Sequence, residues 1–161
     1  MKTLNLKSIM WAIPFVIGSV ALTGCDKDND DDNAGTTMYS VSGNGSGSQA
    51  TPPTSGSGQS TITGTYNTNT NTLTYTSTWT NLSGPPTAAA FYTGAVGVNG
   101  TIVGSAWVLG SGLNVSGTTT GTLVLTDAQE IQLLNGGWYY TYSTATNTSG
   151  EVRGQIIATA M

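Results

Sequence analysis

Residues 72–80 read Thr72-Leu73-Thr74-Tyr75-Thr76-Ser77-Thr78-Trp79-Thr80, an alternation that decides the fold. Threonine holds every even position from 68 to 80, while Leu73, Tyr75 and Trp79 hold odd positions. Side chains of a β-strand point to opposite faces with a period of two residues. The stretch therefore predicts a half-buried strand with one threonine face and one apolar face.

Regular threonine arrays also resemble the faces of ice-binding proteins. A flat plane that matches ice needs several ranks of threonine side by side, and this stretch supplies one rank. The other threonine run, Gly117-Thr118-Thr119-Thr120, does not repeat its spacing. We therefore interpret the threonines as a solvated strand face.

Further strands are predicted on both sides of this stretch. Residues 61–66 and 73–82 are expected to form a hairpin that turns through 67–71. The other predicted strands cover 88–98, 101–109, 121–125, 138–143 and 151–158. Turn signals lie at Asn99-Gly100, where a hairpin turn is expected, and at 147–150.

One short helix is predicted, near residues 127–134. Thr126 can cap it, Asp127 and Glu130 lie in its first turn, and glycines follow its end. Residues 42–60 are rich in Gly, Ser and Thr and are expected to form a loop or a frayed edge segment. Many short strands separated by turns predict an all-β, antiparallel sandwich or barrel, and of the two we favour a sandwich.

The chain is poor in charge outside its N-terminal region. From residue 34 to 161 the charged side chains are Asp127, Glu130, Glu151 and Arg153. Nucleic-acid binding needs clustered Lys and Arg, and attraction to anionic lipid needs a polybasic patch. Residues 34–161 contain neither feature, so we predict no binding to nucleic acid and no electrostatic attraction to lipid. Its surface must be covered by Thr, Ser, Asn and Gly, which fits an extracytoplasmic domain.

The same composition argues against catalysis. The chain has no histidine, and residues 34–161 have no lysine, so serine and threonine nucleophiles lack their usual base. A transition-metal site would have to be built from carboxylates alone. Glycoside hydrolysis would need Glu130 and Glu151 as its carboxylate pair, and each has a structural explanation. We therefore predict no catalytic residue, no metal site and no cofactor.

Glu151 and Arg153 lie two residues apart on a predicted strand and therefore on one face. They can pair with each other or brace a neighbouring turn. Because Arg153 is the one cation of residues 34–161, we expect it to be at least partly buried. Its predicted hydrogen-bond partners are backbone carbonyls or Glu151.

Aromatic side chains are numerous for a small β domain. Three tryptophans are expected in the core: Trp79, Trp107 and Trp138. Four tyrosines are candidate ligand-binding residues: Tyr92, Tyr139, Tyr140 and Tyr142. Because strand neighbours point to opposite faces, at least one of Tyr139 and Tyr140 should face outward. Exposed rings beside Asn and Thr suit a sugar or a protein partner, and packing in the core is the alternative.

The N-terminal region carries an export signature. Lys2 and Lys7 precede an apolar run over 9–21, and Leu22-Thr23-Gly24-Cys25 follows it. The run is too short for a permanent membrane helix, which needs about 20 apolar residues. The four-residue ending resembles a bacterial lipobox, which implies a signal peptide over 1–24 and a lipid on Cys25. An ordinary secretory signal with a chance cysteine is the alternative.

Residues 25–36 are predicted to be an acidic, flexible tether with five aspartates. Their Asp-x-Asp-x-Asp spacing suggests calcium, but the glycine and the distal glutamate of a calcium loop are missing. Acidic residues after a lipidated cysteine resemble the surface-export signals of lipoproteins in some Gram-negative bacteria. We expect an outer-membrane lipoprotein of the cell envelope, exposed at the surface and held to the membrane by its lipid.

The C-terminal region resembles a known family. A tyrosine-rich strand at 138–143 leads into Gly150-Glu151-Val152-Arg153-Gly154-Gln155-Ile156, which resembles the closing signature of the CHRD (chordin) domain. Ala50-Thr51-Pro52-Pro53, Val98-Asn99-Gly100 and the helical segment resemble other elements of that family in the same order. The resemblance implies an immunoglobulin-like β domain over 37–161 in a secreted or surface protein. Its structural signature would be Gly150, Glu151, Arg153 and Gly154.

The chain departs from this family at its histidines. Family members often carry a His-x-His pair where this chain has Ala90-Phe91-Tyr92, and another histidine where it has Ser143. No metal or acid–base role of those imidazoles therefore carries over. We expect a surface-anchored, non-enzymatic lipoprotein whose domain serves adhesion, structure or binding of a surface protein. The alternative is a carbohydrate-binding module that uses exposed Tyr and Trp side chains.

Overall fold

The structure is a computed structural model that describes residues 37–161, which belong to one compact unit. The predicted signal peptide, Cys25 and the tether lie outside the described residues. The described part contains a 3-10 turn at Gly47–Gln49 and the helix α1 (Asp127–Leu134). Its strands are β1 (Met38–Ser46), β2 (Gln59–Asn67), β3 (Thr72–Thr80), β4 (Pro86–Thr93), β5 (Ile102–Val103), β6 (Gly117–Val124), β7 (Trp138–Thr144), β8 (Val152–Gln155) and β9 (Ile157–Ala160). In this part, no helix has the length and apolar character needed to span a membrane.

The strands join one antiparallel sheet. Its order is β5-β4-β7-β8-β1-β2-β3-β6, and β9 also pairs with β1. The sheet curls into a half-barrel, because strands far apart in this order meet across its interior. The ring centroids of Tyr75 on β3 and Phe91 on β4 lie 4.9 Å apart. The all-β antiparallel prediction is confirmed, and the two layers expected of a sandwich are two halves of one curled sheet.

The threonine-rich stretch forms β3 with the predicted faces. Leu73, Tyr75 and Trp79 are buried, whereas Thr74 and Thr76 are exposed. The predicted hairpin with β2 is also present, and its strands pair without a register shift. The period-two pattern therefore placed both the strand and its inner face correctly.

The outer faces of β2, β3 and β6 carry threonines in register. Thr76 lies between Thr63 on β2 and Thr120 on β6. We call the whole array the threonine face; it comprises Thr61, Thr63, Thr65, Thr74, Thr76, Thr78, Thr118, Thr120 and Thr122. The expectation of one rank is therefore wrong. Neighbouring strands of a sheet are ordinarily twisted by roughly 20° relative to one another, which works against a flat plane of threonines. We therefore keep the interpretation of a solvated strand face.

Strand β1 corrects the expectation that residues 42–60 form a loop. Residues 42–46 belong to β1, which lies inside the sheet between β2 and the strands β8 and β9. Glycine and asparagine are depleted in strands, so residues 42–46 carry no local strand signal. The close packing explains the glycines, since a Cβ on Gly43 would lie 2.6 Å from the carbonyl oxygen of Gln155.

Two predicted strands around Asn99-Gly100 are shorter than expected. Strand β4 ends at Thr93, and β5 is only Ile102–Val103. The chain turns earlier than predicted, where the Val98 amide donates to the Ala95 carbonyl over 3.0 Å. The prediction of a tight hairpin turn at Asn99-Gly100 is therefore wrong. Residues 94–101 form a longer connection, here called the 94–101 loop.

The C-terminal segment is extended as predicted, but it forms two strands instead of one. Predicted strand 151–158 is split into β8 and β9 at Ile156, whose buried side chain joins the core. Its amide donates to the Trp138 carbonyl over 2.9 Å. The predicted turn at 147–150 is present, with the Gly150 amide donating to the Asn147 carbonyl over 3.1 Å.

Helix α1 begins and ends where the sequence predicts. Thr126 forms a capping box with Gln129, in which each side chain accepts from the backbone amide of the other. Asp127 and Glu130 lie in the first turn, where the helix dipole favours negative charge. Gly136 adopts a φ of 69°, which ends the helix in the left-handed region.

The core of the half-barrel is aromatic. Trp79 and Trp138 are buried as predicted, and Trp107 packs against the core while staying partly exposed. Trp107 fills the space between the two ends of the curled sheet, 4.9 Å from the Tyr75 centroid and 4.8 Å from that of Phe91. Ring contacts of this kind stabilise the interior beyond the burial of their area.

Candidate functional site

Glu151 is a buried carboxylate that ties two chain segments together. Glu151 directly precedes β8, and only 1% of its surface is exposed. Oε1 accepts from the Ser83 amide over 2.6 Å, and Oε2 accepts from the hydroxyls of Ser83 and Thr144 over 2.5 and 2.6 Å. Asn147 Nδ2 donates to Oε2 over 3.3 Å. The carboxylate therefore joins the segment after β3 to the turn between β7 and β8.

These hydrogen bonds decide the ionisation of Glu151. Burial alone raises the pKa of a carboxyl group, because the charged form loses its hydration. The donors from Ser83, Thr144 and Asn147 favour the charged form more strongly, and the net result is a pKa below the usual value. Glu151 is therefore a carboxylate at neutral pH, held by neutral donors.

Arg153 is a buried cation on β8, only 2% exposed. Nη2 donates to the carbonyls of Ala95 and Val98 over 2.6 and 3.1 Å, and to Gln155 Oε1 over 3.4 Å. Nη1 donates to the Thr51 hydroxyl over 3.1 Å. The guanidinium thus fastens the 94–101 loop and the segment around Thr51 to the sheet.

The signature residues Glu151 and Arg153 do not hydrogen-bond to each other. Each braces a different part of the chain, which corresponds to the second of the two arrangements that the sequence allowed. Burial lowers the pKa of Arg153, and interaction with the Tyr139 phenol opposes this shift. The guanidinium carbon lies 3.8 Å from the Tyr139 ring centroid, a cation–π contact that offsets part of the lost hydration.

The candidate tyrosines divide between the two faces of β7. Tyr140 and Tyr142 point into the core, where their hydroxyls meet Ser60 and Ser77. Burial raises the pKa of Tyr140 to about 12 and raises that of Tyr142 as well. Neither ring is available to a ligand at the surface.

Tyr139 lies on the outer face, as expected, but it is only 3% exposed. The 94–101 loop covers it, and the Gly100 amide donates to its hydroxyl over 3.1 Å. The ring of Tyr92 stacks on Tyr139 with centroids 5.3 Å apart and an interplanar angle of 14°. The expectation that an outward tyrosine of this strand would be exposed is wrong, because a loop distant in sequence folds over it. Tyr92 remains half-buried.

A small cavity of about 150 Å³ opens beside this cluster. We call it the Arg153 cavity; it is lined by Tyr92, Tyr139, Thr141, Ser149, Gly150 and Arg153, together with Ala50, Thr51, Asn99 and Gly100. Thr141 is 9% exposed, and its hydroxyl has no hydrogen-bond partner among residues 37–161. Thr141 and Thr51 could not be recognised from the sequence, because threonine is common throughout the chain.

The two signature glycines serve the geometry of this region. Gly150 adopts a φ of 123°, a conformation that residues with a side chain rarely adopt. A Cβ on Gly154 would lie 2.5 Å from Cε1 of Tyr140, so this position must lack a side chain. Gly150 therefore permits the turn that leads into β8, and Gly154 lets β8 approach β7 closely.

The carboxylates do not form a shared centre. Glu130 lies near Tyr66, whose pKa is raised to about 12 by burial and by that carboxylate. Glu151 is held by Ser83 and Thr144. Within residues 37–161, no three Asp, Glu, His or Cys side chains come together in a way that could hold a metal ion.

Comparison with known proteins places the chain in a family. The CHRD domain family model matches residues 27–156. The chain therefore belongs to the CHRD domain family, as its C-terminal signature predicted. Neither the curated proteins nor the solved structures gave a match.

Proposed function

We propose that this CHRD-family chain is a lipid-anchored surface protein whose β domain is a non-enzymatic module for adhesion, structure or protein interaction. The observation that carries the proposal is the set of contacts made by the signature residues Glu151 and Arg153. Glu151 and Arg153 each engage backbone groups of distant segments, and the hydroxyls of Ser83 and Thr144 act as donors that hold the buried carboxylate. Their contacts favour a rigid scaffold over a catalytic centre.

The rest of the described domain supports a non-enzymatic role. General acid–base catalysis needs a group whose pKa lies near the working pH. Glu151 has a lowered pKa, and Arg153 remains a cation at any ordinary pH. The buried tyrosines have raised pKa values, so their hydroxyls stay protonated near neutral pH.

Surface display is supported by the sequence. The lipobox-like Leu22-Thr23-Gly24-Cys25 and the aspartates after it are followed by a domain with few charges. Two acyl chains anchor a protein firmly, at about 0.8 kcal/mol per buried methylene. The threonine face offers neutral hydroxyls to solvent and has no charge that would draw the domain to a membrane.

Cys25→Ser tests the anchor. Only a thiol forms the thioether that carries the lipid, so the variant should leave the membrane fraction. The measurement is fractionation of cells at high salt, with Thr23→Ser as a variant that keeps the cysteine. Membrane association of Cys25→Ser equal to that of the unchanged chain would contradict the proposal.

Adhesion is tested on whole cells that display the chain. Cells with the unchanged protein should bind other cells or host-matrix proteins more strongly than cells that lack it. External protease should remove both the domain and the binding. Equal binding by cells with and without the protein would count against adhesion and favour a purely structural role.

Carbohydrate binding is the second candidate. Of the four candidate tyrosines, Tyr92 is the one that is not buried. Its half-buried ring is stacked on Tyr139 at the edge of the Arg153 cavity, which presents a flat apolar surface beside hydroxyl groups. Glycan-array binding should be lost in Tyr92→Ala and kept in Tyr39→Ala, a half-buried tyrosine on β1. Binding that survives Tyr92→Ala would exclude this face.

A further inference from the structure

The Arg153 cavity is built on three neighbouring strands. Thr141 on β7 is paired with Arg153 on β8 and with Ala90 on β4. Tyr139 is paired with Tyr92 in the same way. Tyr92, Tyr139, Thr141 and Arg153 all line the cavity, so its base lies on the three strands. Because strands position its base, the cavity is a preformed feature of the fold.

The charge at this cavity has no counter-ion in the described part of the chain. The hydrogen bonds of Arg153 go to carbonyls, a hydroxyl and an amide oxygen, and Glu151 is engaged by Ser83 and Thr144. Asp127 and Glu130 lie on α1, which does not line the cavity. A buried cation without an anion nearby leaves a positive potential in the space beside it.

Hydrogen-bond donors remain unused around the same space. A guanidinium has five N–H groups, and the contacts of Arg153 involve Nη1 and Nη2 but not Nε. Thr141 has no partner for its hydroxyl within residues 37–161. The Tyr139 hydroxyl accepts from the Gly100 amide, and its own proton has no acceptor in that part of the chain. Within residues 37–161, the fully enclosed polar side-chain atoms without a partner are Trp107 Nε1 and Trp138 Nε1. The unpaired donors of Thr141 and Arg153 are therefore accessible from the cavity and can reach a ligand there.

We propose that the Arg153 cavity binds a carboxylate group, with Thr141 and Arg153 as the main donors. A carboxylate accepts hydrogen bonds from several donors at once and supplies the missing negative charge. The cavity of about 150 Å³ admits the carboxylate and a few attached atoms, with Tyr92 facing whatever extends outward. The ligand class is thus a small organic acid or the carboxylate of an acidic sugar. The site does not depend on surface display.

The experiment is a titration of the full-length chain in non-ionic detergent, followed by ¹⁵N NMR at pH 7 and constant ionic strength. Sodium acetate, sodium glucuronate and glucose are added separately, with chloride as the balancing anion. Acetate and glucuronate should give saturable shifts at the Gly100 and Gly150 amides and at Arg153 Nε, and glucose should give none. Tighter binding of glucuronate than of acetate would identify an acidic sugar, and equal binding would identify the carboxylate alone.

Thr141→Val is the decisive variant, because it keeps the shape of the side chain and removes the hydroxyl. Acetate affinity should fall about tenfold, as expected for a lost hydrogen bond to a charged group. Thr120→Val makes the same change on the threonine face and should leave affinity unchanged. Arg153→Lys keeps a charge without the planar fork and should also weaken binding about tenfold. No saturable shift with acetate, or equal affinity in Thr141→Val, overturns the proposal.

Discussion

The two outer faces of the sheet differ in their exposure to solvent. The face of β2, β3 and β6 is open to water and carries threonines alone at its central positions. The face of β4, β7 and β8 is covered by the 94–101 loop and contains a buried cation, Arg153. On the first face, the Thr61 and Thr78 hydroxyls of adjacent strands share a hydrogen bond, whereas the second face fastens distant segments together. Stability should therefore be far more sensitive to substitution on the covered face than on the open one.

Arg153→Ala should have the largest effect. The carbonyls of Ala95 and Val98 would lose their donor inside the structure, and the ring of Tyr139 would lose its cation. An unsatisfied buried acceptor costs about 1–3 kcal/mol, so for the two carbonyls we expect the free energy of unfolding to fall by about 2–6 kcal/mol. Chemical denaturation of the variant measures this loss. A variant as stable as the unchanged protein would mean that the covered face is no more important than the open one.

Glu151→Gln should have the next largest effect, and it should depend on pH. Its hydrogen bonds favour the charged form, so about 1.5–3 kcal/mol of stability should be lost at neutral pH. Because the folded-state pKa is lowered, this contribution is fully present above the ordinary Glu pKa, about 4.3, and disappears as pH falls through the lower folded value. Denaturation curves of both proteins at several pH values should converge under acid conditions. A constant difference at every pH would disprove the carboxylate's role.

Gly154→Ala tests the close approach of β8 to β7. The added Cβ would press on the Tyr140 ring, so we expect a loss of about 1–3 kcal/mol from overpacking. Gly84→Ala is the matched control, because a Cβ there meets open space. The measurement is the midpoint of urea unfolding for both variants. Equal midpoints would mean that the strands can separate without cost.

Thr76→Val should have the smallest effect. The residue is exposed at the centre of the threonine face, and valine keeps its β-branched shape. We expect the free energy of unfolding to change by no more than about 0.5 kcal/mol. Thermal unfolding is sufficient to detect a larger change. A loss as large as that of Gly154→Ala would show that the open face stabilises the sheet through ordered hydroxyl contacts.

Prediction from sequence succeeded where a local pattern carries the information. The alternation around Tyr75 placed β3, and the capping residues of α1 placed the helix. It failed at β1, because the glycines there are explained only by the strands that pack beside them. It also failed for Tyr139, since strand parity gives the direction of a side chain but not what lies over it.

The amino-acid sequence by itself determined the class of fold, the family and the two signature charges, because periodicity, turn chemistry and a contiguous motif are local properties. Only the tertiary structure decided the partners of Glu151 and Arg153, which belong to segments far away along the chain. It also decided that Thr141, one of many threonines, lines a cavity with an unused hydroxyl. The physical reason is that burial and hydrogen-bond pairing depend on which distant segments meet when the sheet curls.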